Sequence, residues 1–288
     1  MKLKTNGVLV VGIKNDDKSP AKKCGIKNGD IIKEVNNVEV LNTNHFEKII
    51  ESVKDNEITI TIERNSEQLN LKTKAVLNEN LKYEMGMWLR DSAAGIGTIS
   101  FYSADKKHFY ALGHPIADSD TNKNYDIRKG TLEIVDIKGS KKGTRNSPGE
   151  LIGVMTDYEI GTLKVNTPMG IYGDLTNEGV VLEKYMYALP KNKVKLGKAY
   201  IMSTVNDKGV GKYEIEITKI IDNNDNKDFI ICITDKKLLE ETGGIIRGMS
   251  GSVIIQNEKI VGAVTHVLLN DQTKGYGISV ENMLKIKN

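Results

Sequence analysis

The stretch Thr242-Gly-Gly-Ile-Ile-Arg-Gly-Met-Ser-Gly-Ser-Val-Ile-Ile-Gln256 sets a serine, Ser250, in a glycine-rich segment directly before an apolar run. A second apolar run, residues 260–264, follows after a short polar segment, so the pattern predicts two neighbouring β-strands. Gly248 and Gly251 flank the serine, let the backbone turn tightly and leave its hydroxyl uncrowded. The stretch therefore predicts either a plain glycine-rich turn or a serine presented for chemistry.

A histidine and an aspartate upstream favour the chemical interpretation. A seryl hydroxyl is a poor nucleophile and needs a nearby base, which a third group orients. His114 ends the apolar segment Ala111-Leu-Gly-His114, and the order His114, Asp235, Ser250 is that of chymotrypsin-like serine proteases. An α/β-hydrolase has the order serine, acid, histidine and a Gly-x-Ser-x-Gly motif, which Ser252 interrupts here. The backbone amides of Gly248 and Ser250 would form the oxyanion hole.

The residues alone leave the orienting acid open. The other three histidines stand in a predicted helix, a charged turn and the strand after Ser250: His45, His108 and His266. Five aspartates are candidates for the acid: Asp118, Asp120, Asp157, Asp174 and Asp235. Asp235 precedes Lys-Lys-Leu-Leu-Glu-Glu, so it is also a good N-cap for a helix. The two roles would compete for the same carboxylate.

Five stretches resemble the stage IV sporulation protein B peptidases, which are serine peptidases of endospore-forming bacteria with a PDZ domain ahead of the peptidase domain. The stretches are Arg90-Asp-Ser-Ala-Ala-Gly-Ile-Gly-Thr98, Ala111-Leu-Gly-His114, Gly243-Gly-Ile-Ile-Arg-Gly-Met-Ser-Gly-Ser252, Gly262-Ala-Val-Thr-His-Val267 and Gly275-Tyr-Gly-Ile278. Two positions depart from the family pattern. Val253 stands where proline is expected, and Pro115 directly follows the histidine.

The resemblance implies a serine endopeptidase with Ser250 as nucleophile and His114 as base. Thr234-Asp-Lys-Lys-Leu-Leu239 matches the family motif that carries the catalytic aspartate, which implies Asp235 as the third member. The implied substrate is a membrane-bound regulator of sporulation in the space between the forespore membranes, together with self-cleavage near the N-terminus. The alternative is a catalytically silent, PDZ-containing interaction protein on a protease fold.

The N-terminal part predicts the PDZ domain. In Ser19-Pro-Ala-Lys-Lys-Cys-Gly-Ile-Lys-Asn-Gly-Asp-Ile-Ile-Lys-Glu-Val-Asn36 a capped short helix, a glycine turn and a strand follow one another, as in bacterial PDZ domains. Such domains bind an extended peptide as an added strand. The residues expected to line the peptide groove are Gly7, Val8, Leu9, Val10 and His45. The alternative is a PDZ fold that serves only as a scaffold.

Length and pattern predict a mostly β protein of two domains. We expect a PDZ domain over residues 1–76, a linker over 77–86 and a peptidase domain over 87–288. Twelve short strands are predicted between residues 97 and 280, one of them at 180–188, as two six-stranded barrels of a chymotrypsin-like fold would require.

Composition limits the kinds of partner and cofactor that we expect for the protein. The formal charge is +3 with acids and bases interspersed, which argues against nucleic acid as a partner. The two cysteines have no His or Cys neighbours at metal-ligand spacing, so we expect no metal or cofactor. The first residues do not have the pattern of a signal peptide. Because family members begin with a membrane-targeting segment, we expect membrane association only through an N-terminal segment absent from this chain.

Overall fold

The computed structural model describes residues 1–144, 147–176, 186–222, 226–268 and 270–285. The chain divides into two compact units. The first unit comprises Leu3–Ala93 and Ala117–Arg128, and the second comprises Met1–Lys2, Ala94–Ile116 and Lys129–Asn288. Both are built mainly from strands, as the sequence predicts.

The first unit is a small antiparallel sheet with two helices. Its elements are β1 (Lys2–Ile13), α1 (Pro20–Cys24), β2 (Ile31–Val35), β3 (Val38–Glu39), α2 (Thr43–Val53), β4 (Glu57–Arg64), β5 (Glu67–Lys74), β6 (Val76–Leu77), β7 (Tyr83–Glu84) and β8 (Met87–Ala94). The sheet runs in the order β5-β4-β2-β1, with β3 paired to β2 and β8 paired to β1. Strands β6 and β7 form a separate pair.

Local sequence signals explain the two helices. Ser19 caps α1 by accepting the amide of Lys22, Pro20 supplies its first residue, and Gly25 ends it at φ +83°, a left-handed conformation that glycine adopts without strain. Asn42 caps α2 by accepting the amide of His45 at 2.8 Å. The apolar face of α2 then covers the sheet and buries Phe46 among other core residues.

The second unit contains a sheet and a barrel. Its elements are β9 (Ile99–Tyr102), β10 (His108–Ala111), β11 (Ile127–Lys141, whose first two residues belong to the first unit), β12 (Glu150–Thr167), β13 (Gly170–Leu175), β14 (Gly197–Thr204), β15 (Val210–Ile220), β16 (Phe229–Ile233), α3 (Lys236–Thr242), β17 (Val253–Gln256), β18 (Lys259–Leu268), β19 (Asp271–Ser279) and α4 (Val280–Leu284). A 3₁₀ helix spans Lys191–Lys193.

One closed barrel is present in the described part of the chain. Its six strands follow the order β14-β15-β16-β19-β18-β17, and its interior holds a continuous cluster of isoleucine, valine, leucine and phenylalanine side chains. The preceding strands form a sheet of order β11-β12-β13-β10-β9 where a second barrel was expected. Of the strand predicted at 180–188, residues 180–185 lie outside the described residues.

A buried ion pair lies at the end of the barrel where β16 begins. The side chain of Asp228 has no exposed surface, and one of its carboxylate oxygens lies 2.6 Å from Nζ of Lys191. The other oxygen accepts the amide of Ser279 at 2.6 Å, and Asn282 donates to both oxygens. Because both oxygens of this buried carboxylate are paired, the ion pair and hydrogen bonds offset the cost of removing the charges from water, and the network joins β16, the end of β19 and α4.

The boundaries of the two units differ from those expected from the sequence. The segment predicted as a linker, residues 77–86, lies within the first unit, where Met85 is buried in the core and Tyr83 packs against it. The amide of Tyr83 also donates to Glu51 of α2 at 3.0 Å. Strand β8, expected in the peptidase domain, lies in the first unit up to Ala93. Long-range packing, which polarity does not reveal, decides this assignment.

None of the helices in the described ranges is long and apolar enough to cross a membrane.

Candidate active site

The turn that carries Ser250 lies between α3 and β17 and depends on glycine. Gly248 and Gly251 have φ angles of +98° and +93°, which side chains other than glycine adopt only with strain. A Cβ on Gly251 would lie 2.0 Å from the carbonyl oxygen of Thr98. This close approach brings Thr98 near enough for its amide to donate to the carbonyl of Ser250 at 2.9 Å. The glycines are therefore required by both conformation and packing.

The two serines of this turn have different surroundings. The hydroxyl of Ser250 is half-buried and donates to the carbonyl oxygen of Thr265 at 2.8 Å. The hydroxyl of Ser252 is fully buried and donates to the hydroxyl of Ser203 at 3.0 Å. Ser250 is thus the serine that a substrate can reach.

Two backbone amides of the turn are left unpaired. The amides of Arg247, Met249 and Gly251 each donate to a backbone carbonyl. Those of Gly248 and Ser250, the two predicted for the oxyanion hole, donate to no acceptor within the described residues. Unpaired amides beside an accessible hydroxyl are the arrangement that binds a developing oxyanion.

A sharp bend after β10 positions His114. Leu112 and Gly113 both have positive φ angles, +65° and +70°. A Cβ on Gly113 would lie 2.8 Å from the side chain of Thr265, whose carbonyl oxygen accepts the Ser250 hydroxyl. The bend directly before His114 and the Ser250 hydroxyl therefore both lie against Thr265 of β18.

The imidazole of His114 is held as a neutral base. Its Nδ1 lies 2.8 Å from the carbonyl oxygen of Pro115, which can only accept, so Nδ1 carries the proton and Nε2 has a free lone pair. Burial lowers the pKa of His114 below its ordinary value, although the bond to Pro115 acts in the opposite direction. At neutral pH the ring is therefore unprotonated and able to accept a proton.

A second histidine lies against the first. The rings of His114 and His266 are 4.7 Å apart between centroids and inclined at 42°. Partial removal from water, then the neighbouring His114, lowers the pKa of His266 to about 4. Its place in the strand after Ser250 was the sequence signal for this proximity.

Asp235 lies at the N-cap of α3. One carboxylate oxygen accepts the amide of Leu238 at 3.0 Å, and the other accepts the amide of Glu214 at 3.3 Å. No hydrogen bond or ion pair joins Asp235 to His114 among the described residues, where the hydrogen-bond partner of His114 is Pro115. The turns that carry Ser250 and His114 thus both approach Thr265, whereas Asp235 serves in the alternative role that its sequence context allowed.

The other candidate acids are engaged elsewhere. Asp118 is buried and accepts from Arg90, Tyr125 and Thr121; burial opposes its ionisation, but these hydrogen bonds lower its pKa to about 2. The remaining three carboxylates pair with basic side chains: Asp120 with Arg90, Asp157 with Lys2, and Asp174 with His108 and Lys164.

The residues predicted to bind a peptide lie in β1 and α2. Val8 and Val10 belong to the core of the first unit, and Leu9, which stands between them in the sequence, is also buried. Gly7 has a φ of +95° and passes close to the carbonyl oxygen of Ile32. The ring of His45 accepts the amide of Leu41 at 3.3 Å, so it stabilises the turn that leads into α2.

The described ranges contain no cluster of three His, Cys, Asp or Glu side chains arranged to hold a metal ion.

Two family models match the sequence. One, described as SpoIVB peptidase S55, matches residues 81–284, and the other, described as a PDZ domain, matches residues 16–64. The second match confirms the PDZ domain predicted in the N-terminal part. No curated protein matches the chain. Among solved structures, the PDZ domain of an SdrC-like protein from Listeria monocytogenes is similar at 22% identity, with a TM-score of 0.27, over 31% of this chain and 93% of that chain.

Proposed function

Because the chain belongs to the SpoIVB peptidase S55 family and is therefore a serine peptidase, we propose that Ser250 is its nucleophile and His114 its general base. One observation carries this assignment. The Ser250 turn combines an accessible hydroxyl with two unpaired amides, and the bend that precedes His114, a neutral imidazole with a free Nε2, packs against the same Thr265 that accepts the Ser250 hydroxyl.

Peptide-bond hydrolysis at this site follows from the chemistry of the two side chains. In this proposal the Ser250 hydroxyl leaves the carbonyl of Thr265 and gives its proton to Nε2 of His114 as the oxygen attacks the substrate carbonyl. The amides of Gly248 and Ser250 bind the resulting oxyanion. His114 then gives its proton to the leaving amine, and water hydrolyses the acyl-enzyme by the same steps.

The orienting group for His114 is the carbonyl of Pro115 in this proposal. It fixes the same tautomer that an aspartate fixes in the chymotrypsin-like enzymes, but it carries no negative charge to stabilise the imidazolium. The family resemblance supports Asp235 for that role, whereas its two amide contacts support a helix cap. Substitution of Asp235 distinguishes the catalytic role from the helix-cap role.

The proposed substrate is a membrane-bound regulatory protein of sporulation, cleaved in the space between the forespore membranes, with self-cleavage as a second reaction. The family to which the chain belongs supports the sporulation role. The PDZ domain supports selection of a protein substrate through an extended segment, because PDZ domains bind such segments by strand addition.

Labelling with a fluorophosphonate probe tests the catalytic assignment directly. We expect the unsubstituted protein to react covalently and to hydrolyse an unfolded protein such as casein, and Ser250→Ala to lose both activities. Ser252→Ala is the matched control in the same turn, and it should keep both because its hydroxyl is buried against Ser203. Absence of labelling in the folded, unsubstituted protein would favour the catalytically silent interaction protein. Labelling that Ser252→Ala abolishes and Ser250→Ala leaves intact would move the nucleophile.

A further inference from the structure

Strand β18 contains a bulge. Its pairing with β19 shifts register between Val264 and Val267, which are three steps apart along β18. Their partners on β19, Gly277 and Gly275, are only two steps apart. Strand β18 therefore has one extra residue in this interval, which is the count of a β-bulge. Bulges redirect side chains and occur often beside active sites.

The two residues inside the bulge, Thr265 and His266, each contact one of the proposed catalytic side chains. The carbonyl oxygen of Thr265 accepts the hydroxyl of Ser250 at 2.8 Å. The ring of His266 lies against the ring of His114, with 4.7 Å between the centroids and an angle of 42° between the planes. Two consecutive residues of one strand thus contact both the nucleophile and the base.

Contacts with β19 hold the backbone of the bulge. The buried hydroxyl of Thr265 donates to the carbonyl oxygen of Tyr276 at 3.2 Å. A Cβ on Gly275 would lie 2.7 Å from the carbonyl oxygen of His266, so the two strands approach more closely than a side chain at Gly275 would allow. The exposed His266 ring therefore projects from a backbone whose position is fixed by its neighbours.

The base needs such a contact because its other restraint is local. The Nδ1 hydrogen bond of His114 goes to Pro115, the next residue along the chain. A hydrogen bond at one atom leaves a ring free to pivot about that atom, whereas a second contact on the ring restricts its plane. Since a general base must place its nitrogen within hydrogen-bond reach of the proton that it takes, the plane of the ring affects the rate.

The surroundings keep the His266 ring neutral. Partial removal from water, then the neighbouring His114 and Lys227, lowers the pKa of His266 to about 4. The ammonium of Lys227 lies 4.6 Å from the centre of the Tyr276 ring, on the strand opposite the bulge. At neutral pH His266 therefore places no second positive charge beside His114 when His114 takes up a proton.

We propose that His266 is a positioning residue for the general base. Its ring, placed by the bulge of β18, packs against His114 and holds it in the orientation in which Nε2 receives the proton of Ser250. Together with the Pro115 carbonyl, the ring supplies the orientation that an aspartate supplies in the Ser-His-Asp enzymes. The inference rests on the proposed catalytic assignment and adds one residue to it.

Two substitutions in the full chain separate the His266 ring from its nitrogens. His266→Phe keeps an aromatic ring, and His266→Gln keeps a neutral polar side chain without a ring. We expect His266→Phe to retain kcat for labelled casein and the rate of fluorophosphonate labelling. His266→Gln should lower both by about 10- to 100-fold with KM unchanged, because displacement of a catalytic group by about 1 Å can cost that much. The matched control is His108→Gln, which removes a ring that packs against Tyr172 in the same unit and should leave both rates unchanged.

The pH dependence of kcat/KM gives a readout that a loss of stability would not produce. Burial lowers the pKa of His114, and the bond to Pro115 opposes this shift. His266→Gln removes a ring that shields His114 from water, so the pKa of His114 should rise toward its ordinary value. The fall of kcat/KM on the acid side should then begin at a higher pH. His266→Phe should leave the profile where it is in the unsubstituted protein.

Several results would overturn the proposal. Equal losses in His266→Phe and His266→Gln would mean that a nitrogen of His266 is required, and full activity in both would mean that the ring has no role. A raised KM with an unchanged labelling rate would assign His266 to substrate binding instead. Activity that survives in Ser250→Ala or His114→Ala, measured in the same series, would refute the catalytic assignment itself. Loss in both of these with full activity in His266→Gln would refute only the role of His266.

Nuclear magnetic resonance tests the ring contact without any change at His266, should its variants fail to fold. The chain has four histidines, and His45→Gln and His108→Gln identify the ring signals of the other two by elimination. We expect a nuclear Overhauser effect between ring protons of His114 and His266, because the ring centroids are 4.7 Å apart. Absence of this effect in the folded protein would mean that the rings are not in contact, and the proposal would fail.

Discussion

Replacement of Asp235 by asparagine distinguishes a helix cap from a catalytic acid. Asparagine has nearly the same shape as aspartate and caps helices about as well, but it cannot stabilise an imidazolium by charge. In the structure each oxygen of the Asp235 carboxylate accepts one backbone amide, from Leu238 and from Glu214. Asparagine has a single side-chain oxygen, so it can keep these two hydrogen bonds only in part.

The two roles predict effects of very different size. As a cap, Asp235→Asn should change the free energy of unfolding by a few tenths of a kcal/mol, and Asp235→Ala should lower it by about 1 kcal/mol. Turnover should then stay within about tenfold of the unsubstituted enzyme, since tenfold corresponds to about 1.4 kcal/mol. As the third member of a catalytic triad, the same asparagine should lower turnover by about 10⁴-fold. From the contacts in the structure we expect the smaller effect.

Three measurements on purified variants decide the matter. Steady-state hydrolysis gives kcat/KM, fluorophosphonate labelling gives the reactivity of Ser250 without a substrate, and urea unfolding gives the stability. The control is Asp174→Asn, because Asp174 was also a candidate acid from the sequence but pairs with His108 and Lys164 of the same unit in the structure.

A fall of about 10⁴-fold in labelling and turnover for Asp235→Asn, with unchanged unfolding, would refute the cap interpretation. It would mean that α3 and the strand end before it rearrange in the active enzyme, so that the carboxylate leaves Leu238 and reaches His114. Loss of activity in parallel with loss of stability would instead indicate a structural effect.

Three further outcomes are expected. Gly251→Ala should abolish activity and lower the free energy of unfolding by several kcal/mol, because its Cβ would lie 2.0 Å from a backbone oxygen. The control is Gly209→Ala, which has a similar φ of +86° but open space around it. It should lower the free energy of unfolding by only about 1 kcal/mol, measured with urea. Asp228→Ala should destabilise the protein by about 3–5 kcal/mol in the same assay, since it leaves the Lys191 ammonium without its carboxylate and with only the carbonyl of Ile221 as a partner. The pKa values of His114 and His266 are lower in the folded protein than in the unfolded chain, so the unfolded chain binds protons first as the pH falls. The melting temperature should therefore fall as the pH drops from 6.5 toward 4, and kcat/KM should fall once His114 is protonated.

Local signals made part of the fold predictable. The helix α1 could be placed because Ser19, Pro20 and Gly25 act within a few residues of one another, and the Ser250 turn could be placed because its glycines are adjacent in sequence. His114 followed from its position after an apolar strand and from the resemblance. In each case the signal that allowed the prediction lies among residues that are neighbours along the chain.

Features that depend on distant partners were not predictable in the same way. The burial of Asp228 requires Lys191 and Asn282, which no spacing rule connects to it. The polar stretch around residues 77–86 reads as a linker, yet Met85 within it is buried in the core of the first unit. The pairing of β8 with β1 likewise joins two segments whose patterns give no indication of their proximity.

The resting position of the Ser250 hydroxyl bears on whether the site can be active at all. It donates to the carbonyl of Thr265, so attack requires that this bond be broken. A neutral hydrogen bond of this kind contributes a net ~0.5–1.5 kcal/mol, and rotation toward His114 replaces it with another. The largest penalty is therefore about tenfold in rate, which is small beside the contribution of a few kcal/mol from a single oxyanion-hole donor. A hydroxyl that donates to Thr265 is thus compatible with an active peptidase. Among the described residues no hydrogen bond joins Ser250 to His114, but the unpaired amides of Gly248 and Ser250 are the stronger evidence for the assignment.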